Sequence, residues 1–128
     1  MGSYLSKILT EPFEAAVAHT ESALNAQGFG ILSNIDVQQA LREKLNVTFR
    51  KYRILGAFNP QFTHKALLTE DKIGAMLPCN VIVQEVKDGR VEVSAVNPIA
   101  SMQAIDNSAL KDLAGQVERK LEKVIDSL

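Results

Sequence analysis

The sequence predicts an α+β domain: an antiparallel sheet with helices packed on one face and a long amphipathic C-terminal helix. Three observations carry that expectation. Asp88-Gly89 stands between two strand-like runs, Asn80 to Val86 and Arg90 to Val96, and a two-residue Asp-Gly turn is among the strongest short signals of an antiparallel hairpin. From Leu110 to Leu128 the apolar residues Leu113, Ala114, Val117, Leu121, Val124 and Ile125 hold helical spacing to the end of the chain, a stripe that must be buried against a sheet or a partner. Strands and helices alternate ahead of the hairpin, which together with antiparallel pairing points to helices gathered on one side of the sheet.

The 128 residues, 46% hydrophobic and 23% charged, match one domain, residues 1–128, with a single hydrophobic core. Lys+Arg 14 against Asp+Glu 15 gives a net charge of -1, without the broad basic surface through which proteins grip phosphate backbones. The short run Arg50, Lys51 and Arg53 falls in an expected strand, so no nucleic-acid partner is expected. One cysteine excludes an intramolecular disulfide and suits a reducing compartment. No apolar run reaches the roughly 20 residues that span a bilayer, and no secretory leader is evident at the N-terminus. The expectation is a cytoplasmic protein with no membrane partner. Met1-Gly2 with Ser6 matches an N-acylation pattern, but Tyr4, Leu5 and Ile8 read better as part of a strand.

Ser3 to Leu9 reads as the first strand. Thr10, Glu11 and Pro12 supply a cap, an acidic turn and an early proline for a helix whose stripe is Phe13, Ala16, Val17, Thr20 and Leu24, ended by Gly28 as a left-handed cap. His19 lies on its polar flank. Phe29 to Ile35 is the second strand, and Asp36 with Gln39 three residues on resembles a capping box for a helix to Leu45, buried through Val37, Ala40, Leu41 and Leu45. Asn46 is its terminator. Phe49 to Ala57 is a third strand whose inner face the pattern does not identify.

Asn59 caps a helix starting at Pro60, with Phe62, Ala66 and Leu67 directed inward. A second short turn near Asp71 offers Ile73, Met76 and Leu77 before Pro78 stops it. Closing the hairpin at Asp88-Gly89 sets Val86 opposite Val91, Gln84 opposite Val93 and Ile82 opposite Ala95 on one side. The other side pairs Lys87 with Arg90, Glu85 with Glu92, Val83 with Ser94 and Val81 with Val96, and Cys79 continues it. Asn97-Pro98 repeats the cap-plus-proline device for a short helix through Met102, and Asn107 caps the last helix.

Chemistry-bearing residues are few. Cys79 follows Pro78 at the head of a strand, where a nearby cation or helix N-terminus would activate its thiol; as a small hydrophobe it would simply be buried. His64, on the helix after Asn59-Pro60, could join Cys79 and a carboxylate in a metal site, although neither CxxC nor HExxH occurs and no metal is expected. Glu85 and Glu92, opposed in the expected register, could act as paired carboxylates or simply pair with nearby cations. Gly28-Phe29-Gly30 lacks the third glycine and the following helix that a dinucleotide site requires, so no cofactor is expected.

The segments LGAFNP (55–60), HKALL (64–68), IGAMLPCNVIV (73–83) and VNP (96–98) resemble the bacterial and archaeal family termed domain of unknown function 302, over most of the chain. The resemblance implies a compact α+β fold akin to the TATA-binding-protein-like class, often in homodimers and with no agreed activity. Similarity of fold carries no implication of DNA binding. Family members often have a cysteine directly before Asn-Pro, where this chain has Phe58, so paired-thiol chemistry is not implied here. The expected function is a homodimeric binding or assembly module for a small apolar or amphipathic ligand, held on the uncovered sheet face or beneath the helices. The alternative is a small enzyme or metal/redox protein using Cys79 with His64 or Glu85.

Overall fold

The computed structural model describes residues 2–128; Met1, the first residue of the acylation-like motif, lies outside them. Five strands, β1 (Tyr4–Leu9), β2 (Gly30–Asp36), β3 (Tyr52–Phe58), β4 (Cys79–Lys87) and β5 (Arg90–Val96), form one sheet in the order β1-β5-β4-β3-β2. Every neighbouring pair is antiparallel. The helices are α1 (Phe13–Ala26), α2 (Val37–Leu45), α3 (Pro60–Thr69), α4 (Pro98–Ser101) and α5 (Ser108–Asp126), with a 3₁₀ turn at Asp71–Met76. The architecture is α+β, as the sequence predicts.

Local sequence sets the ends of most elements. The side chains of Asp36, Asn59, Asn97 and Asn107 each accept a hydrogen bond from a backbone N–H in the first turn of α2, α3, α4 and α5, a device that stabilises a helix by about 1 kcal/mol. Gly28 at φ +85° and Asn46 at φ 53° take left-handed conformations after α1 and α2, as expected of them. At α1 the expectation fails: Pro12 is the N-cap and no side chain caps the helix. Thr20, the polar residue of the α1 stripe, is fully buried and donates its hydroxyl to the Ala16 carbonyl, which satisfies it within the helix.

The β4–β5 register differs from the expected one. The Lys87–Arg90 pair is as anticipated, but a bulge between Glu85 and Lys87 leaves Val86 unpaired, so Glu85 faces Val91, Gln84 faces Glu92, Val83 faces Val93 and Val81 faces Ala95. A one-residue slip exchanges the two faces of a strand. Here it gathers Val81, Val83, Val91, Val93 and Ala95, all fully buried, on the helix-facing side. It also separates Glu85 from Glu92, relieving the like-charge pair. Direct closure would have mixed polar and apolar side chains on both faces, so burial decides the register.

The inner sheet face packs against α1 and α5 in a core that includes Leu5, Leu9, Leu24, Leu55, Leu121 and Val124. A second cluster, Ala66, Ile73, Met102, Leu110 and Ala114, joins α3, the 3₁₀ turn and α4 to the first half of α5. The inner face of β3, undetermined from sequence, is that of Arg53, Leu55 and Ala57. Arg53 pairs with Glu14 at 3.1 Å and Asp36 at 3.7 Å, and its guanidinium lies 5.8 Å from the centre of the Phe13 ring. That basic residue therefore ties α1 to the sheet. Three burial expectations are corrected. α2 has no fully buried residue: Val37, Ala40 and Leu41 are half-buried and Leu45 is exposed. Leu67 of α3 is likewise exposed, and on α5 Glu118 is buried where Val117 is only partly so. Among the described residues no helix is long and apolar enough to cross a membrane.

Candidate functional site

On the sheet face opposite α1 and α5 the register assembles side chains in rows. One row crosses all five strands as Ser6, Ser94, Ile82, Ile54 and Ile35; the next runs Ile8, Glu92, Gln84 and Tyr52; Tyr4 stands beside Val96 at the other end. Alternation puts these residues on one side, and two bulges keep them there. Hydrogen bonds link the polar members across the strands. Ser6 and Ser94 share one at 2.8 Å, the Gln84 amide donates to Glu92 Oε1 at 3.1 Å, and Arg50 Nε donates to Gln84 Oε1 at 2.9 Å. The Arg50 guanidinium also lies 4.4 Å from the centre of the Phe49 ring, so this second member of the basic run is likewise engaged within the fold.

Above the β1-β5-β4 part of this face lies an open groove of about 680 Å³, within the range of small-molecule sites. Its floor includes Ile82, Ser94 and Val96, and Tyr4 and Tyr52 line it as well. Met76 and Pro78 on one side, and Ser101 and Met102 on the other, close one end. These come from the segments flanking β4 and β5, so the Pro78 and Asn97-Pro98 steps build the rim as well as stopping and starting helices. Gly56 serves the same end: an added Cβ would strike the Ser33 hydroxyl and approach Pro78 Cγ to 3.0 Å. Only a glycine lets the Pro78 segment lie this close to β3.

Cys79 and Met102 also border a second, water-sized cavity of about 30 Å³ beneath the helices, walled by Phe29, Phe62, Leu110 and Val117 among others. Cys79 is buried, and desolvation pushes its thiol from an ordinary 9.0 up to about 11. A thiol raised in this way is a poor nucleophile and metal ligand at neutral pH.

The residues singled out from sequence are not brought together. Cys79 and Glu85 share the helix-facing side of β4 but stand six residues apart, about 20 Å at the rise of a strand. Glu92, expected beside Glu85, is on the opposite face. His64 is exposed in mid-α3 and lines neither cavity. Among the described residues no three His, Cys, Asp or Glu side chains are grouped to hold a metal ion. His19 pairs with Glu11 at 3.3 Å on the surface. The groove residues Tyr4, Ser6, Tyr52, Gln84 and Ser94 escaped the sequence reading. Alternation in the first strand would have grouped Tyr4, Ser6 and Ile8, but the bulge hides the company they keep.

Comparison with known proteins agrees with this architecture. The crystal structure of an uncharacterized conserved protein DUF302 from Bacillus stearothermophilus superimposes with a TM-score of 0.90 over 98% of each chain, at 24% sequence identity, a likeness that speaks to the fold. An uncharacterized protein of Aquifex aeolicus (strain VF5) is 29% identical over 94 residues, 73% of this chain and 59% of the relative; the match thus spans less than two thirds of that relative. The family model described as Domain of unknown function DUF302 matches residues 5–128, and the chain belongs to that family.

Proposed function

We propose that this protein is a binding module whose uncovered sheet face holds a small amphipathic ligand. The groove of about 680 Å³ carries the reading. Its walls combine apolar surface from Ile82, Val96, Met76 and Met102 with hydrogen-bonding groups from Ser6, Ser94, Gln84 and Asn80, the mixture that orients a ligand while burying its apolar part. Of the two places suited to a ligand, the groove has the room, whereas the cavity beneath the helices holds about one water's volume. A reactive-thiol enzyme draws little support from a buried Cys79 with its thiol pushed up to about 11.

The module acts as a homodimer. Ile35 (48% exposed), Leu45 (66%) and Val47 (43%) lie at the β2 end, where β2 is a sheet edge with unpaired backbone groups, a feature proteins usually cover or charge. A second copy over this end leaves the β1-β5-β4 groove free. A cytoplasmic setting completes the reading, supported by the lone, free cysteine.

Fluorescence of the neutral apolar dye N-phenyl-1-naphthylamine tests the groove. Saturable one-site enhancement is expected, with loss of that signal in Ser94→Trp, whose indole would fill the groove. Equal binding by a folded Ser94→Trp would place the dye elsewhere and overturn the reading.

A further inference from the structure

The charges around the groove narrow the chemistry of its ligand. Among the described residues, Glu92 is the one carboxylate lining the groove, and no lysine, arginine or histidine lines it with Glu92. Its position is built: Arg50 holds the Gln84 carbonyl oxygen at 2.9 Å, which turns the Gln84 amide N–H toward Glu92 Oε1 at 3.1 Å. Among the described residues Oε2 accepts no hydrogen bond, and it is not sealed from solvent. Arg90, two residues earlier and on the same face of β5, makes no ion pair with Glu92; the ion pairs of the described residues are His19–Glu11, Arg53–Glu14 and Arg53–Asp36. Arg50 is committed to Gln84 and to the Phe49 ring. A carboxylate is thus positioned at the groove with one oxygen free and, among the described residues, no cation paired with it.

Aromatic rings complete the setting. Tyr52 lies in the same row as Glu92 but two strands away, with Gln84 between them, and Tyr4 lines the groove from β1. Phenol rings attract cations through the negative face of the π system. An anionic ligand would meet Glu92 with no positive group among the described lining residues, and a neutral one could at most donate a hydrogen bond to Oε2 without balancing its charge.

We propose that the groove takes a small organic cation, an amine or quaternary ammonium on an apolar body, with Glu92 as its counter-ion and Ile82 and Val96 under the apolar part. This rests on the groove being a ligand site and adds the sign of the ligand's charge.

Three probes with one apolar body separate the two claims: 2-naphthylmethyl-trimethylammonium, 2-naphthalenemethanol and 2-naphthoate, titrated by calorimetry into the intact protein. The cation is expected to bind about tenfold more tightly than the alcohol, the size of a partly solvated ion-pair contact joined to a cation–π contact, and the carboxylate most weakly. In Glu92→Gln the cation should fall to the affinity of the alcohol, while the alcohol binds as before and so reports an intact groove. Tyr52→Leu should weaken the cation more than the alcohol. Equal binding of cation and alcohol, or a preference that survives Glu92→Gln, overturns the cation assignment and leaves the groove as a ligand site. Failure of all three probes to bind overturns both.

Discussion

Cys79 provides the sharpest test of whether this fold protects or exposes its one thiol. The perturbation is alkylation with iodoacetamide, which consumes thiolate. At pH 8 a thiol at its ordinary 9.0 is about 9% thiolate, whereas one pushed to about 11 is about 0.1% thiolate. The native protein should therefore react roughly a hundredfold more slowly than the urea-unfolded chain, before any steric protection is added. Mass spectrometry of timed aliquots reads both rates. The same shift acts on stability. A thiol whose pKa is raised by folding favours the fold while neutral, so its contribution is complete below pH 9 and is lost as pH rises from about 9 through 11. Two pKa units correspond to about 3 kcal/mol as a ceiling. Denaturant unfolding should show this alkaline loss in the wild type and lack it in Cys79→Ala, with other titrations common to both. Native alkylation within a few-fold of the unfolded rate, or the same alkaline slope in both proteins, would refute burial as the determinant of this thiol.

Two further expectations follow from packing at the sheet. Gly56→Ala drives a methyl group into the Ser33 hydroxyl and against Pro78 and should cost about 1–3 kcal/mol with weakened dye binding, since the groove rim must move; an unchanged denaturation midpoint would show the contact to be slack. Sedimentation at micromolar concentration should give a dimer for the wild type and a monomer for Ile35→Lys combined with Leu45→Lys, a substitution that charges the β2 end; a wild-type monomer would remove the second copy from the functional reading.

Sequence made the element order and most helix ends legible, because Asp36, Asn59, Asn97 and Asn107 act through neighbouring backbone groups that local spacing already implies. The hairpin was legible in position and misread in register. Counting outward from Asp88-Gly89 assumes one residue opposite one, and the bulge at Val86 is favoured only by the burial of Val81, Val83, Val91 and Val93 beneath α1 and α5. Periodicity likewise showed α2 to be amphipathic without showing that its stripe is at most half-buried, since a stripe specifies a face and not its partner. The groove was the least legible feature. Its residues come from β1, β3, β4, β5 and α4, each weak alone, whereas Cys79, His64 and Glu85 drew attention by residue type and are set apart by the fold. Phe58, directly before Asn59-Pro60, faces away from the Cys79 side of the sheet by strand alternation.

The most direct measurement is an amide NMR titration of the protein with 2-naphthalenemethanol. Shifts are expected to concentrate at Ser6, Ile82, Gln84, Glu92, Ser94 and Met102, the sheet face and rim of the groove, with α1 and the second half of α5 unmoved. Shifts confined to the helices, or none at millimolar ligand, would contradict a binding site on the uncovered face.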